Sequence, residues 1–259
     1  MQHSSADQAG RQMPHIIPCT CAPDLARDFV PQTLCTRRPG EPVLGAAIIN
    51  CHTTGLKPGR DRLIELGILR CTISRWRGAV LSLDAALTQH QDPEREIGAG
   101  ILEYAGLSRE LLQGTRLDGA GVERFLAGCG CIIAHNAGFH RGFFHAAGLQ
   151  DGGVPWVCTM RRGGTHRRSL ACLLEAEHAA LGCNRCLARC RGVAWLLAAG
   201  SALAGGVLAQ VQAQASARAA RRYAQLCSDL SADMAADEAA GVALHACLMQ
   251  ACSRNQHPA

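Results

Sequence analysis

Aromatic side chains are scarce in this 259-residue chain: three Trp, two Tyr and five Phe make up 4% of it, which leaves few rings on which bases could stack. Lysine is almost absent. Lys57 is the only one, so the positive side of a formal net charge of +5 is arginine, a modest balance that permits an anionic partner without demanding one. Long apolar runs are also missing. The longest stretches, such as residues 193–209, are broken by Gly and Ser and fall short of the roughly 18–20 apolar residues of a membrane span, so no membrane association is expected. Residues 1–10 are polar, with no basic stretch leading into an apolar one, so no secretory signal is visible and a cytoplasmic chain is expected. Cysteine, by contrast, is plentiful. Fifteen of them, an odd number spread along the chain, are expected to stay thiols in a reducing compartment, many as small buried hydrophobes.

Residues 1–42 carry six of the ten prolines among polar residues and read as a loosely docked, irregular arm with a short helix near 24–29. Residues 43–50 (VLGAAIIN) form an apolar run closed by a turn-like Thr-Thr-Gly, which suits a buried first strand. Residues 63–73 and 79–87 read as second and third strands of an antiparallel meander. Short helices are expected at 94–104, 108–113 and 119–128, a strand at 131–134, a helix at 138–148 and an edge strand at 156–159. From residue 168 the pattern is helical, roughly 168–181, 184–199, 203–226 and 231–252. Strands first and helices later give a domain of the α/β (α+β) class over 43–199, with a helical extension over 200–259.

Five fragments then stand in order: Thr53-Thr54-Gly55-Leu56, Asp61-Arg62-Leu63-Ile64-Glu65-Leu66-Gly67, Ala134-His135-Asn136-Ala137-Gly138-Phe139, Trp156-x-Cys158-Thr159 and Asn184-Arg185-x-Leu187. Together they resemble the DnaQ-like (DEDD) 3′-5′ exonuclease family of the ribonuclease H-like superfold, over about residues 43–199. The resemblance implies a mixed five-stranded sheet flanked by helices. It also implies a site in which four carboxylates hold two Mg²⁺ or Mn²⁺ ions while a helical His activates water.

The residues at those family positions are different here. Asn50 and His52 stand for the first-strand Asp and Glu, His140 for the Asp after the AHNAGF turn, Asn184 for the catalytic His and Arg189 for the last Asp. The expected protein is therefore catalytically degenerate, with no catalytic residue, resident metal or other cofactor, and acts as a nucleic-acid-binding or scaffold module. The alternative is an active exonuclease that recruits Mg²⁺ or Mn²⁺ through other ligands. Arg189, with His52 and His140 when protonated, would offer cations to a phosphate in place of the metals. Thr53, Thr54, Gly55 and Leu56, which in the family line the pocket of the 3′-terminal nucleotide, are expected to bind a single-stranded or 3′ end without metal. His135 and Asn136 complete the candidate nucleic-acid-binding set, Asn136 also as a turn residue able to cap the helix after it.

Other groupings carry weaker chemistry. His52 and His140 suit Zn²⁺ better than Mg²⁺, but Cys51 should point to the opposite face of the strand, so only the two histidines would converge; two ligands with no nearby carboxylate make a poor metal site, and unliganded polar residues are the favoured reading. Asp61 and Glu65 read as a turn cap and a pairing charge. Cys183, Cys186 and Cys190 lie on one helical stripe, which Cys129 and Cys131 could join, and read as core packing rather than a cluster site. His145 and His166 read as surface histidines. The arginines of 161–168 and Arg218, Arg221 and Arg222 on the tail could track a phosphate backbone or be simply solvated. The C-terminal helices are amphipathic and offer a face to this domain or to a protein partner.

Overall fold

The computed structural model describes residues 16–17, 29–160, 169–176, 180–181, 183, 185–199, 203–218, 220–222, 224–226 and 228–229. Two short strands, β1 (Ile16–Ile17) and β2 (Gln32–Thr33), precede three long ones, β3 (Val43–Thr53), β4 (Leu63–Ser74) and β5 (Val80–His90). Helices α1 (Ala99–Ala105), α2 (Arg109–Leu112) and α3 (Gly119–Leu126) lead to β6 (Cys131–Ala134), α4 (Ala137–Ala146) and β7 (Trp156–Cys158). Then come α5 (Leu170–Ala176), β8 (Ala180–Leu181) and α6 (Cys186–Ala198), and helix resumes at residue 203.

The main sheet has the order β2-β5-β4-β3-β6-β7. The hairpins β3/β4 and β4/β5 are antiparallel, whereas β3/β6 and β6/β7 are parallel, with α1 to α3 leading from β5 to β6 and α4 from β6 to β7. This is the mixed sheet of a ribonuclease H-like α/β fold. It has six strands where five were expected, because β2 adds itself to the open edge of β5.

Side-chain alternation divides the core into two layers. Ala46 and Ile48 of β3 join Leu69, Cys71 and Ile73 of β4 on the face covered by α5 and α6, whose Leu174, Cys190, Val193 and Leu197 pack there. Ala47, Ile49 and Cys51 join Leu66 and Ile68 on the face covered by α3 and α4, through Val122, Leu126, Phe143 and Phe144. The central strands are therefore buried on both sides, as their near-continuous apolar sequence requires.

Several expectations need correction. The segment 29–42 is not loosely docked: besides β2 it supplies Glu41, which is fully buried. Glu41 accepts from Arg77 Nε (2.8 Å) and NH2 (3.1 Å), from the Arg38 amide (2.9 Å) and from the Ser74 hydroxyl. The Arg77 guanidinium, then the Arg38 amide and Ser74, lower its carboxyl to about 2. The helix expected at 94–104 starts only at Ala99, because Glu94 has φ +53° and Gly98 is extended at the N-cap. The helix expected over 168–181 is cut to α5, and β8 pairs in parallel with β1, making a strand of part of the arm. The expected helices near 24–29 and at 231–252 fall outside the described residues.

By its internal contacts the chain divides into two units, Met1–Val211 and Gln212–Ala259. Within the first, Leu203, Ala204, Val207 and Val211 continue the apolar layer of α6. In the second, the described residues are helical and almost all exposed, with Gln225 Nε2 donating to Asp229 Oδ1 at 2.7 Å. Among the described residues no single helix is long and apolar enough to cross a membrane.

Candidate nucleic-acid interface

At its C-terminal end β3 breaks register with β4 between His52 and Thr53 and opens into a cleft of about 720 Å³. Asn50, His52, His140 and Arg189, four of the five residues that the resemblance sets at catalytic positions, line it. So do Thr53, Gly55, Leu56, His135 and Asn136 of the expected binding set. Thr54 is not part of the lining, and Asn184 lies outside the described residues.

His140 is a buried crosslink and not a cation. The Cys51 amide donates to its Nδ1 at 3.2 Å, which fixes that nitrogen as an acceptor and puts the proton on Nε2. Nε2 then donates to the His135 carbonyl at 3.0 Å. Burial, the dominant cause, lowers His140 from the ordinary 6.5 to about 3. The expected imidazolium at this position is therefore corrected: a neutral ring ties α4 to β3. Alternation also settles the pairing, since Cys51 faces α4 and meets His140, with Sγ 3.1 Å from Nδ1. His52 and His140 do not converge on a shared zinc position, since both nitrogens of His140 are already engaged.

His52 faces the other layer. Its Nδ1 lies 2.9 Å from Glu65 Oε2, directly across the β3/β4 pair. Glu65 is 1% exposed and also accepts from Arg185 Nε at 2.6 Å and from the Cys186 amide at 3.2 Å. Burial alone would raise this carboxyl, but the His52 imidazole and the Arg185 guanidinium outweigh it and hold Glu65 well below the carboxylate range. His90 Nε2 sits 3.0 Å from Arg185 NH2; a guanidinium can only donate, so His90 accepts there and extends the chain. The far nitrogen of His52, Nε2, is buried and has no hydrogen-bond partner among the described residues.

The loop after β3 is self-capped. Thr53 Oγ1 donates to the Gly55 carbonyl (2.6 Å), Thr54 Oγ1 accepts from the Arg62 amide (2.9 Å), and Asp61 accepts from the Lys57 amide (2.8 Å). Asp61 is thus the expected turn cap. It lies so close under Gly55 that any side chain there would strike its carboxylate. The loop leaves Leu56 80% exposed on the rim, and Tyr104 of α1 is 59% exposed there, its ring edge-on to His52 at a centroid distance of 6.0 Å.

Asn136 has φ +72° and ψ +55°, the left-handed conformation expected of it, but makes no side-chain cap bond to α4. His135 is buried, its Nδ1 2.9 Å from Thr159 Oγ1, so it braces β6 to the end of β7 while lining the cleft. Arg189, half-buried on α6, is the only side chain of permanent charge among the described cleft-lining residues.

Two elements escaped the sequence reading. Arg185 was visible only as part of a motif, without a role, and Tyr104 only as a helix end. Counting along the hairpin from the Thr53–Leu63 pair would put Ile64 opposite His52; the register shift between His52 and Thr53 brings Glu65 there instead, so the pair was not legible in the sequence. His145, expected to be an isolated surface residue, instead lies 2.8 Å from Asp151 Oδ2, an oxygen that also accepts from Trp156 Nε1. His166 and residues 161–168 lie outside the described residues.

The Mg²⁺ or Mn²⁺ ions that the resemblance implies do not fit this donor set. Mg²⁺ and Mn²⁺ prefer oxygen ligands, and no Asp or Glu lines the cleft among the described residues. His52, Glu65 and Cys186 do place ligand atoms within 4.8 Å of one another. There, however, Glu65 is occupied by Arg185, and burial pushes the Cys186 thiol well above its ordinary range, so a cation would have to displace a guanidinium and ionise a buried thiol. Cys186 and Cys190 donate instead to the carbonyls of Glu65 (3.6 Å) and Gly67 (3.5 Å), the core packing expected of the stripe. Cys131 is likewise buried, its thiol pushed up to about 12. Cys183 departs from the expectation of thiols throughout, being disulfide-bonded.

No family model and no curated protein matches the chain. Among solved structures it is similar to exonuclease X in complex with 5′-overhanging duplex DNA, at 19% identity over 64% of this chain and 99% of that one, with a TM-score of 0.47. It is similar to the zinc-bound E. coli exonuclease I complex with single-stranded DNA, at 12% identity over 60% of this chain and 40% of that one, with a TM-score of 0.46. A third is a 3′-exonuclease that recognises the 3′ end of the histone mRNA stem-loop, at 11% identity over 58% of this chain and 78% of that one, with a TM-score of 0.44.

Proposed function

We propose that this chain is a nucleic-acid-binding module built on an exonuclease-type fold and devoid of two-metal hydrolysis. The observation that carries this reading is the end of β3, where Asn50 and His52 enter a cleft that has no lining carboxylate among the described residues and Arg189 as its permanent charge. Phosphodiester hydrolysis by two metals needs a strongly negative cradle. A cleft whose fixed charge is a guanidinium instead attracts the phosphate itself. The exposed Leu56 and Tyr104 on the rim give an end base apolar surface to rest on. The exposed helical residues beyond Val211 are assigned, in this reading, to a protein partner.

A labelled single-stranded oligonucleotide incubated with the protein and Mg²⁺ or Mn²⁺, read for cleavage and for retention on one gel, tests the reading. Retention without cleavage is expected. Cleavage abolished by chelator would overturn it in favour of an exonuclease, with the His52, Glu65 and Cys186 group the first place to look for ligands.

A further inference from the structure

The loop that leads off the rim of the cleft carries positive charge that the protein leaves unneutralised. Gly55 and Leu56 line the cleft, and Lys57, Arg60 and Arg62 follow them along the chain, all exposed. Arg95, also exposed, reaches the same loop from the segment before α1, its Nη1 donating to the Arg60 carbonyl at 3.1 Å. That segment returns to the cleft as well, since Gly100 and Ile101 of α1 line it.

None of these cations makes an ion pair among the described residues. The acids alongside are engaged elsewhere. Asp61 turns into the loop, where its Oδ2 accepts from the Lys57 amide at 2.8 Å. Asp92 accepts from the Glu94 and Gly114 amides, and Glu94 pairs with Arg116 at 3.2 Å. Glu96 is exposed and joins no ion pair either. Like charges gathered on one loop repel, and an anionic partner would relieve that repulsion.

The backbone that presents the charges is braced. The Arg60 and Asp61 amides both donate to the Lys57 carbonyl, at 3.2 and 2.9 Å, and the Thr54 amide donates to the Arg62 carbonyl at 2.8 Å. Pro58 rests on α4 at Gly142, where a Cβ would lie 2.9 Å from its Cγ. A loop held in this way has little backbone left to order when a partner binds. Arg62 and Arg95 each spend one N–H on a loop carbonyl and keep the rest of the guanidinium fork for a ligand. Residues 57–62 include no aromatic and no Asn or Gln, so they have nothing with which to stack on a base or read its edge. What fits them is a series of phosphates.

We propose that Lys57, Arg60, Arg62 and Arg95 form a backbone-tracking surface that takes the phosphates of a nucleic-acid strand continuing out of the cleft past Leu56. The assignment rests on the reading of the cleft as a nucleic-acid site. It goes further by giving the strand a path beyond the cleft, so that affinity grows with strand length and does so without regard to sequence.

The variant Lys57→Gln/Arg60→Gln tests this, because neither side chain makes a hydrogen bond or ion pair among the described residues and the bonds that brace the loop stay in place. Binding of labelled single strands of about three and about twelve nucleotides is followed by fluorescence anisotropy across a salt series, for wild type, the double variant and Arg189→Gln. Wild type is expected to hold the long strand more tightly than the short one. The double variant should lose about tenfold for the long strand at low salt, flatten its slope of log affinity against log salt by about 1.4, and bind the short strand as wild type does. An unchanged long-strand affinity and slope would overturn the proposal and leave the cleft reading intact, and so would an equal loss at both lengths, which would put the two cations at the cleft itself. Loss in the double variant, with Arg189→Gln unchanged and no binding of the short strand, would uphold the surface and overturn the cleft reading. Binding of neither strand to wild type would overturn both.

Discussion

Cys51 donates its backbone N–H to His140 Nδ1 across 3.2 Å, and this bond joins the central strand to α4 at the floor of the cleft. Because burial lowers His140 to about 3 against the ordinary 6.5, the folded state keeps the ring neutral where the unfolded chain protonates it. The stabilisation is complete above the unfolded value and is lost as pH falls from there toward the folded one. The expected slope is about 1.4 kcal/mol per pH unit between about pH 6 and pH 5, before the carboxylates begin to titrate. Urea unfolding across that range should show the slope in wild type and a shallower one in His140→Gln, which also starts about 1–3 kcal/mol lower because the Cys51 amide loses its acceptor. Parallel slopes in the two proteins would remove His140 from the account.

Gly67 has no room for a side chain. A Cβ there would lie 2.7 Å from Cys186 Cβ and 2.9 Å from the Leu187 nitrogen, so β4 and the start of α6 touch backbone to backbone. Gly67→Ala must push α6 outward, and an overpacking cost of about 1–3 kcal/mol is expected as a lowered denaturation midpoint. An unchanged midpoint would mean that α6 is not seated on β4 as described.

The β3/β4/β5 meander, β6, α4 and β7 were legible because each is a run of apolar residues with a clear stop. The two-residue strands were not: Gln32–Thr33 carries no hydrophobic alternation, and its pairing depends on the open edge of β5, which no local pattern reveals. The site was legible as positions but not as chemistry. Asn50, His52, His140 and Arg189 do line one cleft, yet the opposite roles of the two histidines depend on strand parity and on what each face meets. His52 met an acid 13 residues away on the adjacent strand, while His140 met a backbone amide, a partner that side-chain chemistry cannot announce.

Glu41 ties the segment before β3 to the β4–β5 turn through Arg77, the Arg38 amide and Ser74, and these contacts lower its carboxyl from 4.5 to about 2. A depressed carboxylate stabilises the fold above its unfolded value and loses that contribution as pH falls through the folded one. Glu41→Gln should therefore lower the thermal midpoint at neutral pH. The difference from wild type should shrink as pH drops from 4.5 toward about 2, where both side chains are uncharged. A difference that stays constant over that interval would show that Glu41 acts by shape rather than by charge.

Arg189 is the residue on which the sign of the cleft depends. In a site built for two cations the corresponding surface would repel phosphate until metal arrived; here a guanidinium on α6 is part of the wall from the start. If it contacts one backbone phosphate, neutralising it should weaken binding similarly for all sequences and reduce the slope of log affinity against log salt by about one. Arg189→Gln is expected to show that change. Arg189→Glu should lose more, about tenfold or greater at low salt, because a carboxylate in the cleft repels the ligand in addition to removing the contact. Adding Mg²⁺ to Arg189→Glu discriminates further. A single carboxylate without the other three should bind the ion too weakly to restore retention or start cleavage, so metal rescue of either would mean that the cleft still holds a latent cation site. Thermal midpoints equal to wild type would confirm that both variants report on binding, and unchanged affinity and salt slope in both would remove Arg189 from the interface.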